Sequence, residues 1–180
     1  MPSPTTTLNA LLAALNTPGA LNYHNPVGFV PATFGNDPSG NPPKVGLAQG
    51  PKFNGVVPIE TMFAQLFTFL PNFQLNPIGN WLYDPSNVNP ARIGMEATIM
   101  GQQTGSWFQR ATSVVFYSPP ISDLIPPPAG TPGQIINQEA FAVFSFFNNK
   151  IYQAGVYFDR YFMAKTLGNG RTSLRTVIGP

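Results

Sequence analysis

The sequence predicts an α+β protein in which helices pack on one face of a curved antiparallel sheet. Two apolar stripes at helical spacing occur in the first 70 residues, and several strand-like apolar segments follow them. Helices followed by a run of strands are typical of this class. Because the chain has 180 residues and shows no internal repeat, we expect one domain that spans residues 1–180.

Each of the two stripes predicts one helix. The first helix is expected at Thr5–Asn16, with Thr and Asn as capping residues, and its apolar positions are Leu8, Leu11, Leu12 and Leu15. The second covers most of VPIETMFAQLFTFLPNF, with Pro58 in its first turn and Pro71 after its end. The wide apolar stripe of this second helix should lie on a sheet.

The segments between these helices carry no periodic pattern. Residues 21–30, LNYHNPVGFV, are expected to form a short extended piece. Residues 31–55 are rich in Pro, Gly and Asn, and they predict a long loop insertion.

The second half of the chain predicts the sheet and a closing helix. Asn148 and Asn149 predict a tight hairpin turn, since Asn tolerates positive φ. A short final helix is expected after Asp159, followed by a C-terminal tail over residues 169–180. The strand segments are NFQLNPIGNWLYD, RIGMEATIMGQQTGSWF, TSVVFY, QIINQEAFAVFSFF and KIYQAGVYF.

Composition and charge exclude several classes of function. The nine basic residues are scattered and the net charge is only +2, so no nucleic-acid partner is expected. The absence of Cys and the presence of a single His argue against a protein-built metal site, and no cofactor is expected. No apolar run is long enough to span a bilayer, so no membrane partner is expected. The N-terminus lacks the basic region of a signal peptide, and a cytoplasmic protein is therefore expected.

Four stretches occur in the order typical of one known family. GVVPIETMFAQLFTFLPNFQL resembles its helix followed by FPDF, GQQTGSW its GTHTG strand, and YHNP its early HxP element, while IPPPAGTPGQ through FMAKTLG resembles its closing signature. Over roughly residues 8–168 the chain thus resembles SnoaL-like proteins, the polyketide-cyclase branch of the NTF2-like superfamily. The resemblance implies a cone-shaped barrel: a bent antiparallel sheet wraps the N-terminal helices around a deep apolar pocket. It also implies a homodimer formed through the sheet face.

The resemblance also implies a catalytic base, but this chain departs from the pattern. Family enzymes use a buried carboxylate to abstract a proton beside a carbonyl group. That position falls on Val156 and its polar neighbour near Ala142, and neither side chain can transfer a proton. The remaining catalytic candidates are His24, Glu96 and Asp159. A lone His is more often a packing residue, which is the interpretation that we favour for His24. Glu96 is a solvated residue if it points outward. Asp159 is, in the interpretation that we favour, the N-cap of the final helix.

Alternate residues of the two closing strands share one face and are expected to wall the pocket. This set comprises Ala140, Ala142, Phe144, Ala154, Val156 and Phe158. Small residues leave room for a ligand, unless Phe and Met side chains from the helices fill the space. Further candidate ligand contacts are Tyr23, Asn25, Trp81, Gln103 and Trp107.

Two functions follow from these observations. The first is acid/base catalysis without a metal, by a cyclase, isomerase or dehydratase that acts on an apolar, aromatic or polyketide-like small molecule. The second is non-catalytic, with the chain acting as a ligand-binding or dimerisation domain. The ionisable side chains that line the pocket should discriminate between the two.

Overall fold

The computed structural model describes residues 3–17, 26–47, 52–83, 91–102, 133 and 135–159. The predicted strand at 112–117, the final helix and the 169–180 tail lie outside these residues. The described part contains the helices α1 (Pro4–Asn16), α2 (Pro26–Thr33) and α3 (Val56–Phe69), and the strands β1 (Lys44–Leu47), β2 (Lys52–Asn54), β3 (Gln74–Tyr83), β4 (Ala91–Gln102), β5 (Ile135–Phe147) and β6 (Lys150–Phe158). The predicted α+β class is confirmed.

Helix α1 forms where its leucine pattern predicts it. Ser3 is the N-cap, and its Oγ accepts a hydrogen bond of 3.1 Å from the backbone N–H of Thr6. Pro4 occupies the first turn, where its missing N–H costs no intrahelical bond. The buried stripe, which belongs to the main core, consists of Leu8, Leu11, Leu12 and Leu15.

Helix α2 overturns the prediction of an extended segment for residues 26–30, which are helical, while residues 21–25 lie outside the described part. The eight residues of α2 include Gly28 and Pro31, so the local sequence gives no helical signal. Packing supplies the stability instead. The ring of Phe29 lies edge-to-face with that of Phe63 on α3, with their centroids 5.2 Å apart.

Helix α3 agrees with its predicted limits. Gly55 precedes it with a φ of 98°, a conformation that favours glycine. The helix ends before Leu70, and Pro71 follows. Its buried face comprises Ile59, Met62, Phe63, Leu66 and Phe67.

The six strands form one sheet in the order β2-β1-β6-β5-β4-β3. Strands β3 to β6 pair antiparallel with their neighbours, as predicted. The hairpin turn at Asn148 and Asn149 is confirmed, since their φ angles are 49° and 62°. Strand β1 adds a parallel pairing, in which Val45 lies opposite Ala154 of β6.

The prediction that residues 31–55 form a loop throughout is wrong. The segment includes the end of α2 and the strands β1 and β2, which extend the sheet beyond β6. These strands have four and three residues, too few for alternation to be recognised in the sequence. Pairing with β6 fixes β1, and the side chain of Val45 is buried as a result.

Strand alternation separates an inner face, which packs against the helices, from an outer face. On β4 the odd-numbered residues from Ile93 to Gly101 are buried, and on β5 the even-numbered residues from Ile136 to Phe146 are buried or half-buried. The inner face and the three helices share one core cluster. Among the described helices none is long and apolar enough to cross a membrane.

Candidate functional site

A cavity of about 50 Å³ lies between the helices and the inner face of the sheet. Its described lining contains apolar side chains only. The sheet contributes residues from five of its six strands, and the helices contribute Leu11, Leu15, Met62, Phe63 and Leu66. Such a wall can hold an apolar molecule, but it offers no group that transfers a proton.

The closing strands line this cavity through the residues whose alternation places them inward. Phe144, Ala154, Val156 and Phe158 are in contact with the cavity. Ala142 is fully buried on the same face, between Met95 of β4 and Val156 of β6 in the strand register, but it is not part of the described lining. That these residues bind a ligand stays a prediction.

Aromatic and Met side chains occupy much of the space that the sheet encloses. Phe34 and Phe63 line the cavity with ring centroids 6.3 Å apart, and Met62 lines it beside them. A volume of 50 Å³ exceeds the roughly 10–15 Å³ that one water requires, but it is below the roughly 150 Å³ of an engineered cavity that binds benzene. A larger ligand therefore requires some of these side chains to move.

Glu96 does not point into the cavity, and of its two predicted alternatives the structure has the outward one. It is exposed on the outer face of β4, where it pairs with Phe141 of β5. There it borders an open groove of about 430 Å³ together with Glu139 and Tyr157. The even-numbered residues of β4 face outward, and this alternation fixes the direction of the Glu96 side chain.

Asp159 follows the last residue of β6 and is exposed. Its backbone carbonyl oxygen accepts a hydrogen bond of 2.8 Å from Nε2 of Gln138. Asp159 is not among the described residues that line the cavity. The helix that Asp159 would cap lies outside the described residues, so both interpretations of its carboxylate stay predictions.

The other predicted site residues divide into two groups. Trp81 is half-buried and packs against the core without lining the cavity. His24, Tyr23, Asn25, Gln103 and Trp107 lie outside the described residues. Within the described part of the chain, no three His, Cys, Asp or Glu side chains are grouped so that they could hold a metal ion.

Gln138 is a polar residue of the inner face that sequence reasoning missed. It is buried on β5, and its side-chain oxygen Oε1 has no hydrogen-bond partner within the described structure. Strand alternation could have indicated its burial, because Gln138 is an even-numbered residue of β5 and therefore shares a face with Ala140 and Ala142. A glutamine on an otherwise apolar strand face is the feature that could have identified it.

The chain matches no protein-family model, and no curated protein matches it in sequence. Solved structures, in contrast, are similar in fold. A candidate polyketide cyclase of Pseudomonas putida KT2440 superposes with a TM-score of 0.62 at 16% identity, over 92% of this chain and 98% of that one. A candidate SnoaL-like polyketide cyclase of Jannaschia sp. CCS1 gives a TM-score of 0.56 at 12% identity, over 93% and 95% of the two chains.

A third similar structure has a ketosteroid isomerase-like fold. This protein of Catenulispora acidiphila DSM 44928, solved in complex with trimethylamine, gives a TM-score of 0.53 at 14% identity, over 95% of this chain and 88% of that one. At such identities the likeness concerns the fold, and function has to be argued from the site. The chain therefore has the SnoaL-like, NTF2-like fold, in which a bent six-stranded sheet wraps around helices.

Proposed function

We propose that this protein binds an apolar small molecule, aromatic or polyketide-like, in the cavity between its helices and the inner face of its sheet. The observation that carries the proposal is the apolar character of the whole described lining. Ala154 and Val156 are small residues on the sheet side of that lining, and they leave space that larger side chains would fill. Burial of apolar ligand surface against this wall supplies the binding free energy.

Flexible side chains on the helix side accommodate the ligand. Met62 lines the cavity, and its unbranched side chain changes rotamer more readily than a branched or aromatic one. Displacement of Met62 enlarges the cavity from about 50 Å³ towards the space that one aromatic ring requires. A single-ring hydrocarbon such as toluene is therefore a suitable first probe.

The test is a titration of the protein with toluene, followed by the methyl resonances of the cavity-lining residues. The variant Ala154→Leu places three more carbon atoms in the cavity and should weaken toluene binding about tenfold or more. The matched control is Ala13→Leu, an exposed position on α1, which should bind toluene as the wild type does. Equal affinities in all three proteins would show that the ligand site lies elsewhere.

Catalysis is a second candidate function, and the polyketide cyclases among the similar structures favour it. The described wall supplies no base, so a cyclase, isomerase or dehydratase reaction would depend on His24 or Asp159. Loss of a general base typically lowers the rate by about 10²–10⁴-fold. His24→Asn and Asp159→Asn should therefore be compared for turnover of a polyketide substrate, with Glu96→Gln as the control that retains full activity.

Homodimerisation through the outer face of the sheet is part of the proposal. Exposed apolar side chains on this face include Ile78, Phe141 and Tyr157, and Tyr157 is 54% exposed. Tyr157→Glu should shift the protein towards the monomer in analytical ultracentrifugation. Val57→Glu, at an exposed site on α3, should leave the association unchanged. The cytoplasmic location is likewise a prediction.

A further inference from the structure

Gln138 places a buried hydrogen-bond acceptor in the apolar interior of the protein. Its side chain is only 7% exposed, and it projects from the inner face of β5. Oε1 is shielded from solvent and has no hydrogen-bond partner within the described structure. Buried carbonyl groups in proteins are almost always satisfied, so an unpaired one indicates a donor that joins it in the functional state.

The orientation of the Gln138 amide follows from its other hydrogen bond. Nε2 lies 2.8 Å from the carbonyl oxygen of Asp159, and only the amide nitrogen can donate to a carbonyl oxygen. An exchange of the two amide atoms would place two acceptors against each other. The unpaired atom of the Gln138 amide is therefore its oxygen, Oε1, which can only accept a hydrogen bond.

Gln138 is adjacent to two residues of the cavity wall. Ile99 lies directly opposite it in the register of β4 and β5, on the same inner face. Asp159, which Gln138 contacts, immediately follows Phe158, and both Ile99 and Phe158 line the cavity. Gln138 itself is not part of the described lining, so its acceptor lies outside the cavity wall, next to Ile99 and Phe158.

We propose that Oε1 of Gln138 accepts a hydrogen bond from a hydroxyl or N–H group of the ligand, which reaches it between Ile99 and Phe158. This inference rests on the proposed function and specifies its ligand: an apolar ring that carries one hydrogen-bond donor. The described lining exposes no polar atom that could serve a donor elsewhere. Gln138 therefore fixes the orientation of the ligand, and it selects against the bare hydrocarbon.

The test compares phenol with toluene, which have the same shape and differ in the donor. Phenol loses more hydration than toluene on entering an apolar site, so the ratio of their Kd values in one protein does not isolate the hydrogen bond. The change in this ratio between the wild type and a variant does isolate it. In Gln138→Leu, phenol should lose about 3- to 10-fold in affinity relative to toluene. Asn137→Leu, on the exposed outer face of the same strand, should leave the ratio unchanged.

A second measurement does not depend on any variant. In the wild-type protein, the side-chain ¹⁵N amide resonances of Gln138 should shift on addition of phenol but not of toluene. An unchanged Kd ratio in Gln138→Leu, or equal shifts with both probes, would overturn the role of Gln138 and leave the apolar site in place. Either outcome is expected if an ordered water, and not the ligand, donates to Oε1 of Gln138. If neither probe binds in the cavity, the proposed function fails and the inference fails with it.

Discussion

The side chain of Asn16 takes the place of a strand neighbour for Leu75. Its Nδ2 donates to the backbone carbonyl of Leu75 and its Oδ1 accepts from the backbone N–H of the same residue, both at 2.8 Å. Leu75 lies on β3, one of the two edge strands of the described sheet, which has one row of backbone groups without a strand partner among the described residues. Because Leu75 also lines the cavity, this pair of bonds connects the end of α1 to the cavity wall.

Replacement of Asn16 by Ala should destabilise the protein by about 1–2 kcal/mol, because two partly buried backbone groups lose their partners. Asn16→Asp keeps the acceptor for the Leu75 N–H but places a second acceptor against the Leu75 carbonyl oxygen, so its free energy of unfolding should also fall below that of the wild type. Urea denaturation measures these differences. Asn9→Ala, at an exposed position on the same helix, is the control, and an equal loss in that variant would show that the two bonds contribute nothing.

Substitutions of Asn149, in the hairpin between β5 and β6, should change the stability of the protein according to how easily the new residue adopts a positive φ. The φ of Asn149 is 62°, which glycine adopts without strain and which a β-branched residue adopts only at a cost. Asn149→Gly should therefore raise the free energy of unfolding by up to about 1 kcal/mol, and Asn149→Val should lower it by about 1–2 kcal/mol.

Thermal unfolding, followed by circular dichroism, checks this prediction. The control is Asn137→Val, an exposed site within β5, where a β-branched residue suits the strand. If valine were tolerated equally well at positions 137 and 149, the turn conformation would not be what selects asparagine.

Enlargement of the cavity should increase ligand affinity at a cost in stability. Met62→Ala removes a buried side chain from the cavity wall and should destabilise the protein by about 2–5 kcal/mol, while it opens space for an aromatic ring. Toluene should therefore bind more tightly to this variant than to the wild type. Titration with toluene and urea denaturation measure the two effects.

The chain offers a matched control for this experiment. Met95 is equally buried, on β4, but it is not part of the described cavity lining. Met95→Ala should lose a similar amount of stability and gain no affinity for toluene. A gain in both variants would mean that the ligand binds to a loosened core and not to this cavity.

Long periodic segments were predictable from the sequence, and short or context-dependent ones were not. The leucine stripe of α1 and the hairpin asparagines carry strong local signals, and both elements form as predicted. The helix α2 and the strand β1 have no such signal, because Phe29 is held by packing on α3 and Val45 by pairing with β6. Tertiary contacts of this kind cannot be read from local sequence.

The sequence predicts those parts of the candidate site in which the alternation of side chains along a strand decides which residues face the cavity. Parity places Ala154 and Val156 on the inner face, where they line the cavity. The outward direction of Glu96 follows from the same alternation, because the odd-numbered residues of β4 from Ile93 to Gly101 are buried, whereas the even-numbered ones, which include Arg92 and Thr98, face outward. The burial of Gln138 is not indicated by its residue type, because glutamine is mostly exposed in proteins, and only its even position on β5 places it on the inner face.

The turn at Asp37 should make stability depend on pH in the acid range. The side-chain amide of Asn41 donates to the Asp37 carboxylate at 2.9 Å, and the backbone N–H groups of Asn41 and Ser39 donate at 2.8 and 2.9 Å. These bonds, led by that from the Asn41 side chain and assisted by the charge of Lys44, hold the pKa of Asp37 below its ordinary value of 3.8.

Because the folded-state pKa is the lower one, the contribution of Asp37 to stability is complete above the ordinary pKa and disappears as the pH falls through the folded-state pKa. The wild type should therefore have a higher urea midpoint than Asp37→Asn at neutral pH, and this difference should shrink as the pH falls below the ordinary pKa of 3.8. Other carboxyl groups titrate in both proteins and cancel in the difference. Asn41→Ala removes the principal donor and should reduce the same pH-dependent difference, whereas a constant gap at all pH values would mean that the ionised carboxylate does not stabilise the turn.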